Sequence, residues 1–316
     1  MRALIFHGPG DVRLEDVPRP EPREEGDVLV QIEVALTDGT DAKAYHRGHP
    51  VLLGPPPSPF GHEFCGVDVA TGSRVVAPNS APCGECAPCR RGQETLCERL
   101  LPLLNGAYAE YLLVPARIAQ ASLLPVPDHV PAAVAAMVEP LACCLHGVEV
   151  AGVKPRDTVA VVGIGPIGLM LCACVRDAGG LPVGVGGRPD RRELAPSFGA
   201  LPGDGDGADV VIEAAGTVEA WERALSLVRA GGTVLAFAGL PRETRVTVDA
   251  YRVHYEEVTV RGAFHHTPRH VRAALAFLAS GAYPFERLVT HRVGLEGVVG
   301  LLADPPRDYL KAAVLP

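Results

Sequence analysis

The run Val159-Ala160-Val161-Val162-Gly163-Ile164-Gly165-Pro166-Ile167-Gly168 constrains the fold of this chain more than any other stretch. Four apolar residues that suit a buried strand lead into G-x-G-x-x-G, and a helical pattern follows from about Pro166. At such a junction Gly163 makes the tight turn and Gly165 lets a pyrophosphate approach the backbone. Gly168 lets the helix pack on the strand, and the helix N-terminus, with Pro166 and Ile167 in its first turn, faces the phosphates. A dinucleotide cofactor is therefore expected. Thr158 to Val175 is also 18 residues without a charge, long enough to raise a membrane span. Gly163, Gly165, Pro166 and Gly168 interrupt it, and low charge is what a parallel strand covered on both faces requires.

The surroundings agree with this junction. From about 142 to 264 the pattern is strand, helix, strand: Val159 to Val162, Ile167 to Asp177, Val183 to Val185, Val210 to Glu213, Ala220 to Arg229, Thr233 to Ala238. Such alternation predicts an α/β unit with a parallel sheet and helices on both faces. Up to about residue 125 the chain reads instead as strand and turn. In Asp27 to Leu36, Val28, Val30, Ile32 and Val34 alternate with Leu29, Gln31 and Glu33, a half-buried strand. Pro50 to Pro59 holds five prolines and one glycine and predicts a loop without regular structure. After Thr267 a helix from about His270 to Ala279 leads into short strands ending at Ala312 to Leu315.

Among 316 residues, 29 basic and 37 acidic side chains give a net charge of −8, with no basic run, which argues against nucleic acid or an anionic membrane as partner. The start, Met1 to Pro9, offers no signal-peptide apolar region, so a cytoplasmic, reducing location is expected. There a cysteine cluster reads as metal binding before disulfides. Cys83, Cys86, Cys89 and Cys97 fall within 15 residues. Two-residue gaps let the backbone curl around one tetrahedral zinc, which closes the site and makes it structural. The competing reading is four unrelated thiols. Cys65, Cys143, Cys144, Cys172 and Cys174 stand among apolar residues and read as core.

An NAD-specific loop ends its second strand with an acid that holds the ribose 2′-hydroxyl. Here Val183-Gly184-Val185 runs into Gly186-Gly187-Arg188-Pro189-Asp190-Arg191-Arg192. Arginines without a strand-end carboxylate suit the 2′-phosphate of NADP, so NADP is expected ahead of NAD, with Gly186, Gly187, Arg188 and Arg192 as contacts. A solvated turn, with Asp190 reaching a ribose, is the competing reading.

Together with these motifs, Gly61-His62-Glu63, Gly106-Ala107-Tyr108-Ala109-Glu110-Tyr111, Glu139-Pro140-Leu141-Ala142 and Glu213-Ala214-Ala215-Gly216 make the chain resemble the zinc-containing medium-chain dehydrogenases along nearly its whole length. The resemblance is nearest to the polyol, threonine and archaeal glucose dehydrogenase branches. It implies a β-rich GroES-like catalytic domain from residues 1–141 and 265–316, bearing the zinc lobe at about 80–100. It also implies a Rossmann doubly wound domain from 142–264, with Ala215 and Gly216 beside the cofactor. The partners implied are a small polyol or sugar substrate and further copies of the chain, as a homodimer or homotetramer. Relatives usually open the catalytic zinc site with Cys-Gly-Thr-Asp, where this chain reads Asp38-Gly39-Thr40-Asp41. Some sugar dehydrogenases of the family carry an Asp, His, Glu, Glu set, which maps onto Asp38, His62, Glu63 and Glu139. Two zincs per chain follow. Thr40 stands where relatives pass the substrate proton outward, and Lys43 stands where many hold a histidine; a turn hydroxyl and a solvated charge are the alternatives. His46, Arg47 and His49 read as surface residues of a loop. The segments from Gly66 to Arg74 and from Ala200 to Ala208 are shorter than in relatives. A family member with a decayed metal site and a sensor or structural role is the rival function, and a zinc-free reductase is a second.

Overall fold

The alternation that marks Val28 to Leu36 as a strand is obeyed in the computed structural model, which describes residues 1–49 and 53–316. Val30, Ile32 and Val34 are buried while Gln31 and Glu33 face water. The chain divides into two compact units, Met1–Ala142 with His266–Pro316, and Cys143–His265.

In the first unit, β1 (Arg2–Gly8) and β2 (Asp11–Asp16) form an antiparallel pair. They are followed by β3 (Val28–Leu36), α1 (Gly39–Arg47), β4 (Ser58–Pro59), β5 (Glu63–Asp68) and β6 (Arg74–Val76). Then come α2 (Ala87–Arg90), β7 (Tyr111–Val114), α3 (Ala116–Ser122), β8 (Leu124–Pro125), α4 (Ala132–Ala135) and the start of α5 (Val138–Ala151), which continues into the second unit after Ala142. The proline-rich segment departs from expectation at its end: Ser58–Pro59 pairs with β1 as a two-residue edge strand, a place where proline's missing N–H does no harm. The first three positions of that predicted loop, 50–52, lie outside the described residues. Phe60 packs between Phe6 and Tyr108, with ring centroids 6.1 and 5.7 Å away, and anchors the core beside His62.

The second unit holds β9 (Thr158–Val162), α6 (Pro166–Asp177), β10 (Leu181–Val185), α7 (Pro189–Leu194), β11 (Ala208–Glu213), α8 (Val218–Leu227), β12 (Val228–Ala236), α9 (Ala250–Tyr255) and β13 (Thr259–Gly262). All neighbours are parallel, in the order β10-β9-β11-β12-β13. The order reverses at β9, so the glycine loop leaves the sheet at its switch point. The third helix starts and ends two residues earlier than its sequence pattern indicates, because Thr217 caps it by accepting from the Ala220 N–H at 3.1 Å. Arg229 consequently belongs to β12.

The chain then returns to the first unit through α10 (Pro268–Ala279), β14 (Val289–Gly294), α11 (Leu295–Ala303) and β15 (Lys311–Leu315). The resulting seven-stranded sheet runs β14-β15-β3-β5-β6-β8, with β7 also on β3. Register places Ala313 opposite Leu36, and Leu36 opposite Glu63. No helix among the described residues is long and apolar enough to cross a membrane.

Candidate active site and metal centres

The first site begins where β3 ends. Thr37 is pinned there: its hydroxyl oxygen accepts from the Ala312 N–H at 2.8 Å and from the Tyr309 hydroxyl at 2.6 Å. Asp38 then caps α1, Oδ1 accepting from the Asp41 N–H at 2.7 Å while Asp41 Oδ2 accepts from the Asp38 N–H at 3.1 Å. Capping uses one oxygen of Asp38. The other lies 3.8 Å from His62 Nε2, so capping the helix leaves one carboxylate oxygen facing the imidazole. Thr40 hydrogen-bonds the Asp38 carboxylate through its hydroxyl. His46 and Arg47, expected in a loop, lie in the last turn of α1.

His62 is aimed from two sides. Gly61 has φ +85°, and a Cβ there would come within 2.6 Å of the Tyr108 ring, so only glycine fits against that ring just before His62. His62 Nδ1 faces Asp41 Oδ1 at 3.3 Å, and Asp41 in turn accepts from the Tyr108 hydroxyl. A carboxylate behind one ring nitrogen turns the other toward a ligand. Next in the chain, Glu63 Oε1 accepts from Lys311 Nζ at 2.9 Å, and Oε2 lies 2.7 Å from the same nitrogen. Glu139, in the first turn of α5, is buried with Oε1 at 3.9 Å from His266 Nε2.

Donor atoms of Asp38, Asp41 and His62 lie within 4.8 Å of one another, as do those of His62, Glu63 and Glu139. His62 thus joins the four residues expected at a catalytic zinc. The chemistry fits that ion: one imidazole and several carboxylates are zinc ligands, and four buried or nearly buried acids face one buried lysine. The excess negative charge shows in the titration of the cluster. Burial, with Asp38 adding to it, pushes Glu63 up to about 8 against the pull of Lys311. Burial works to lower His62, yet Asp38, Asp41 and Glu139 hold it well above the usual imidazole range. A divalent cation would relieve both. Sequence reasoning missed Asp41, Lys311 and His266. The spacing of Asp38 and Asp41 is itself a capping-box signal; Lys311 lies 248 residues from Glu63 and carries none.

The four cysteines form a second centre, with Sγ atoms within 4.8 Å of one another. Cys97 Sγ accepts from the Cys83 N–H at 3.2 Å and the Arg99 N–H at 3.4 Å, and Cys83 Sγ accepts from the Cys86 N–H at 3.3 Å. Backbone N–H groups of Glu85 and Cys86 bring the Cys83 thiol down to about 6, a thiolate ready for a metal. The donor set fits a closed tetrahedral zinc.

In the second unit the glycine loop has the form the motif demands. A Cβ on Gly168 would fall 2.0 Å from the Gly163 carbonyl oxygen, and one on Gly163 would meet Ala215 at 2.8 Å. Glu213 Oε1 folds the facing loop by accepting from Ala215 N at 2.8 Å and Gly216 N at 2.6 Å. Gly165 caps α6 without a side chain, so Pro166 and Ile167 open the helix beside a bare first turn. Gly186 and Gly187 both have φ +79°, which carries the chain from β10 into α7. The arginines divide differently from expectation. Arg188 pairs with Asp190 at 3.1 and 3.3 Å, and Arg192 is exposed. Arg191, half-buried, brings Nη1 to 3.8 Å from where a Gly165 Cβ would stand.

Residues 24–128 match the alcohol dehydrogenase GroES-like domain, and residues 201–280 match the zinc-binding dehydrogenase family. The chain is 34% identical to an erythritol/L-threitol dehydrogenase of Mycolicibacterium smegmatis, across 100% of this chain and 98% of that one. It is 28% identical to a sorbitol dehydrogenase of Bacillus subtilis, covering 94% and 91%. Among solved structures, a zinc-binding dehydrogenase of Sinorhizobium meliloti bound to NADP superposes with a TM-score of 0.90 at 30% identity, covering 100% of this chain and 99% of that one.

Proposed function

Because this chain belongs to the zinc-binding dehydrogenases with a GroES-like alcohol dehydrogenase domain, we propose that it transfers hydride between a polyol, cyclitol or sugar hydroxyl and a nicotinamide nucleotide, preferring NADP(H) to NAD(H). The observation that carries the reading is the placement of His62, which meets Asp38 on one side and Glu63 and Glu139 on the other while Asp41 backs its second nitrogen. In this reading the unit of Met1–Ala142 with His266–Pro316 is catalytic and Cys143–His265 binds the nucleotide.

Asp38, His62, Glu63 and Glu139 are the set for a catalytic zinc, and Cys83, Cys86, Cys89 and Cys97 the set for a structural one. When bound, the catalytic ion supplies Lewis acidity toward the substrate oxygen and the nicotinamide ring supplies the hydride acceptor. Asp41 keeps the His62 ring in one orientation and one tautomer. Thr40 relays the proton of the substrate hydroxyl, giving up its own hydroxyl proton as it accepts, and Lys43 in its neutral amine form, three residues on along the same face of α1, receives the proton released. The carboxylates accept hydrogen bonds from vicinal hydroxyls of a polyol, which a simple alcohol cannot offer. The first turn of α6 holds the pyrophosphate, and Arg191 meets the 2′-phosphate, with Arg188 and Arg192 at its margin. The erythritol/L-threitol and sorbitol relatives support the substrate class, and the NADP-bound structure supports the cofactor.

The reading extends to a homodimer or homotetramer in a reducing, cytoplasmic setting. No residue of α9 is buried, Tyr251, Tyr255, Val260 and Phe264 are exposed, and β13 ends its sheet. A second copy related by a two-fold axis covers such an edge strand to strand.

A panel of polyols and aldoses assayed with both nucleotides, beside elemental analysis, tests the proposal. It expects two zincs per chain, NADP-linked polyol oxidation, and loss of turnover in Asp38→Ala with nucleotide binding intact. One zinc and no turnover would favour the rival, a nucleotide-binding relative whose catalytic metal site has decayed.

A further inference from the structure

We infer that Asn79 is a specificity-determining residue: its side-chain oxygen accepts a hydrogen bond from the substrate hydroxyl next to the one that is oxidised, a role that rests on the polyol reading above. Asn79 belongs to none of the motifs that mark the site in the sequence. It follows β6, in Val76-Ala77-Pro78-Asn79, where the chain has left the sheet ladder. The residue is 3% exposed, and its Oδ1 is buried with no hydrogen-bond partner among the described residues. Ala77 and Ala81, on either side, belong to the apolar core and have no side-chain group to offer it. A buried amide oxygen left in that state costs stability, so it calls for a reason outside the fold.

Position supplies the reason. β5 and β6 are antiparallel, with Cys65 opposite Val76, Gly66 opposite Val75 and Val67 opposite Arg74. Continued past the end of the ladder, that register sets His62 against Asn79, and residues directly opposite each other share one face of an antiparallel pair. One short segment ties the two together. Leu104 N–H donates to the Asn79 carbonyl at 2.7 Å, while the N–H groups of Gly106 and Ala107 donate to the Gly61 carbonyl at 2.8 and 3.0 Å. Asn79 is thereby held by its backbone beside His62, with its side-chain oxygen uncommitted. Unlike the acids around His62, a side-chain amide is neutral and carries both an acceptor and donors, so a hydroxyl can pair with it without bringing charge. A polyol has such a hydroxyl one carbon from the reacting one, whereas a simple alcohol leaves the amide oxygen unpaired.

The test compares kcat/KM for the best polyol of the panel and for its deoxy analogue, which lacks the hydroxyl beside the reacting carbon, in the wild type and in Asn79→Leu. Leucine keeps the volume and removes the amide. The wild type should favour the polyol by at least about tenfold, the scale of one hydrogen bond in a buried site, and Asn79→Leu should lose most of that preference by losing rate on the polyol alone. Without substrate, the Tm of the zinc-loaded variant should stay level or rise, because an apolar group replaces a buried polar atom that had no partner. A folded Asn79→Leu that keeps the wild-type preference, or that loses both substrates alike, overturns the inference and leaves the polyol reading standing. A clear fall in Tm does the same, since the amide then serves the fold, and so does a wild type that turns over the polyol without preferring it. If Asn79→Leu does not fold, Asn79→Ala carries the same comparison, and failure of both to fold makes the residue structural and overturns the inference. A wild type that oxidises no polyol overturns the proposed function itself, and the inference with it.

Discussion

At the scale of single residues, the site depends on which side chain stands behind which. His62 has Asp41 at its back, and Asp41 is buried between the imidazole and the Tyr108 hydroxyl. Asp41→Asn keeps the shape but removes the negative charge that orients and strengthens the imidazole, so zinc affinity at this site should fall about 10- to 100-fold. Competition with a chromophoric chelator measures it; unchanged affinity would mean that His62 is aimed by packing against Gly61 alone. Arg191 invites a parallel experiment on the nucleotide. Arg191→Ala should raise KM for NADP about tenfold with little change for NAD, because a guanidinium gains much from a phosphate and little from a hydroxyl. Arg188→Ala should matter less, since Arg188 is already occupied by Asp190. Legibility at this scale follows sequence distance. Asp38, His62, Glu63 and Glu139 belong to short motifs, so the sequence alone could propose them. Asp41 sat inside one of those motifs, but its role depends on Tyr108, far along the chain. Lys311 and Arg191 are selected by strand register and helix phase, which no local spacing encodes.

Among the elements, most boundaries were legible because a strand feeding a glycine turn, or alternation in β3, is a local property. The misses are equally physical. Ser58–Pro59 becomes a strand because β1 offers a free edge, and α8 shifts because of the Thr217 cap. A third case concerns α3, whose N-cap is Pro115 and supplies no side-chain bond. Asp27, far upstream, takes over: it accepts from Ala116 N at 2.8 Å and from Arg23 N and Glu24 N at 3.0 and 3.1 Å. Those N–H groups, Arg23 foremost, keep its carboxyl below the ordinary range despite some desolvation. A lowered folded-state pKa contributes stability above the unfolded value near 4 that is lost as pH falls through the folded one. Asp27→Ala should therefore cost about 1 kcal/mol at neutral pH, as other cap losses do. The gap in Tm between variant and wild type should narrow toward pH 3; a gap that stays constant with pH would deny the carboxylate its role.

For the molecule as a whole, the fold class and the reaction class were legible, since they need only the order of patterns along the chain. The substrate is a matter of how many hydroxyls the carboxylate-rich site can pair, and this sets a further expectation. Ethanol should be poorer than the best polyol by at least about a hundredfold in kcat/KM, the discrimination that a site built for an extra hydroxyl reaches. Comparable rates on ethanol would mean that the acids around His62 do not read the substrate. The pairing of β15 with β3 also has a consequence in time. Glu63 and Lys311 are separated by 248 residues, so at a synthesis rate of roughly 5–20 residues per second they leave the ribosome roughly 12 to 50 seconds apart. Through that interval His62 and the acids that have emerged beside it exist without their buried cation, and before it ends Cys83 to Cys97 and all of β9 to β13 have emerged. The cysteine lobe is complete early, whereas the cluster around His62 is finished only after almost everything else, so the proposed two zincs would meet their sites at different moments of synthesis.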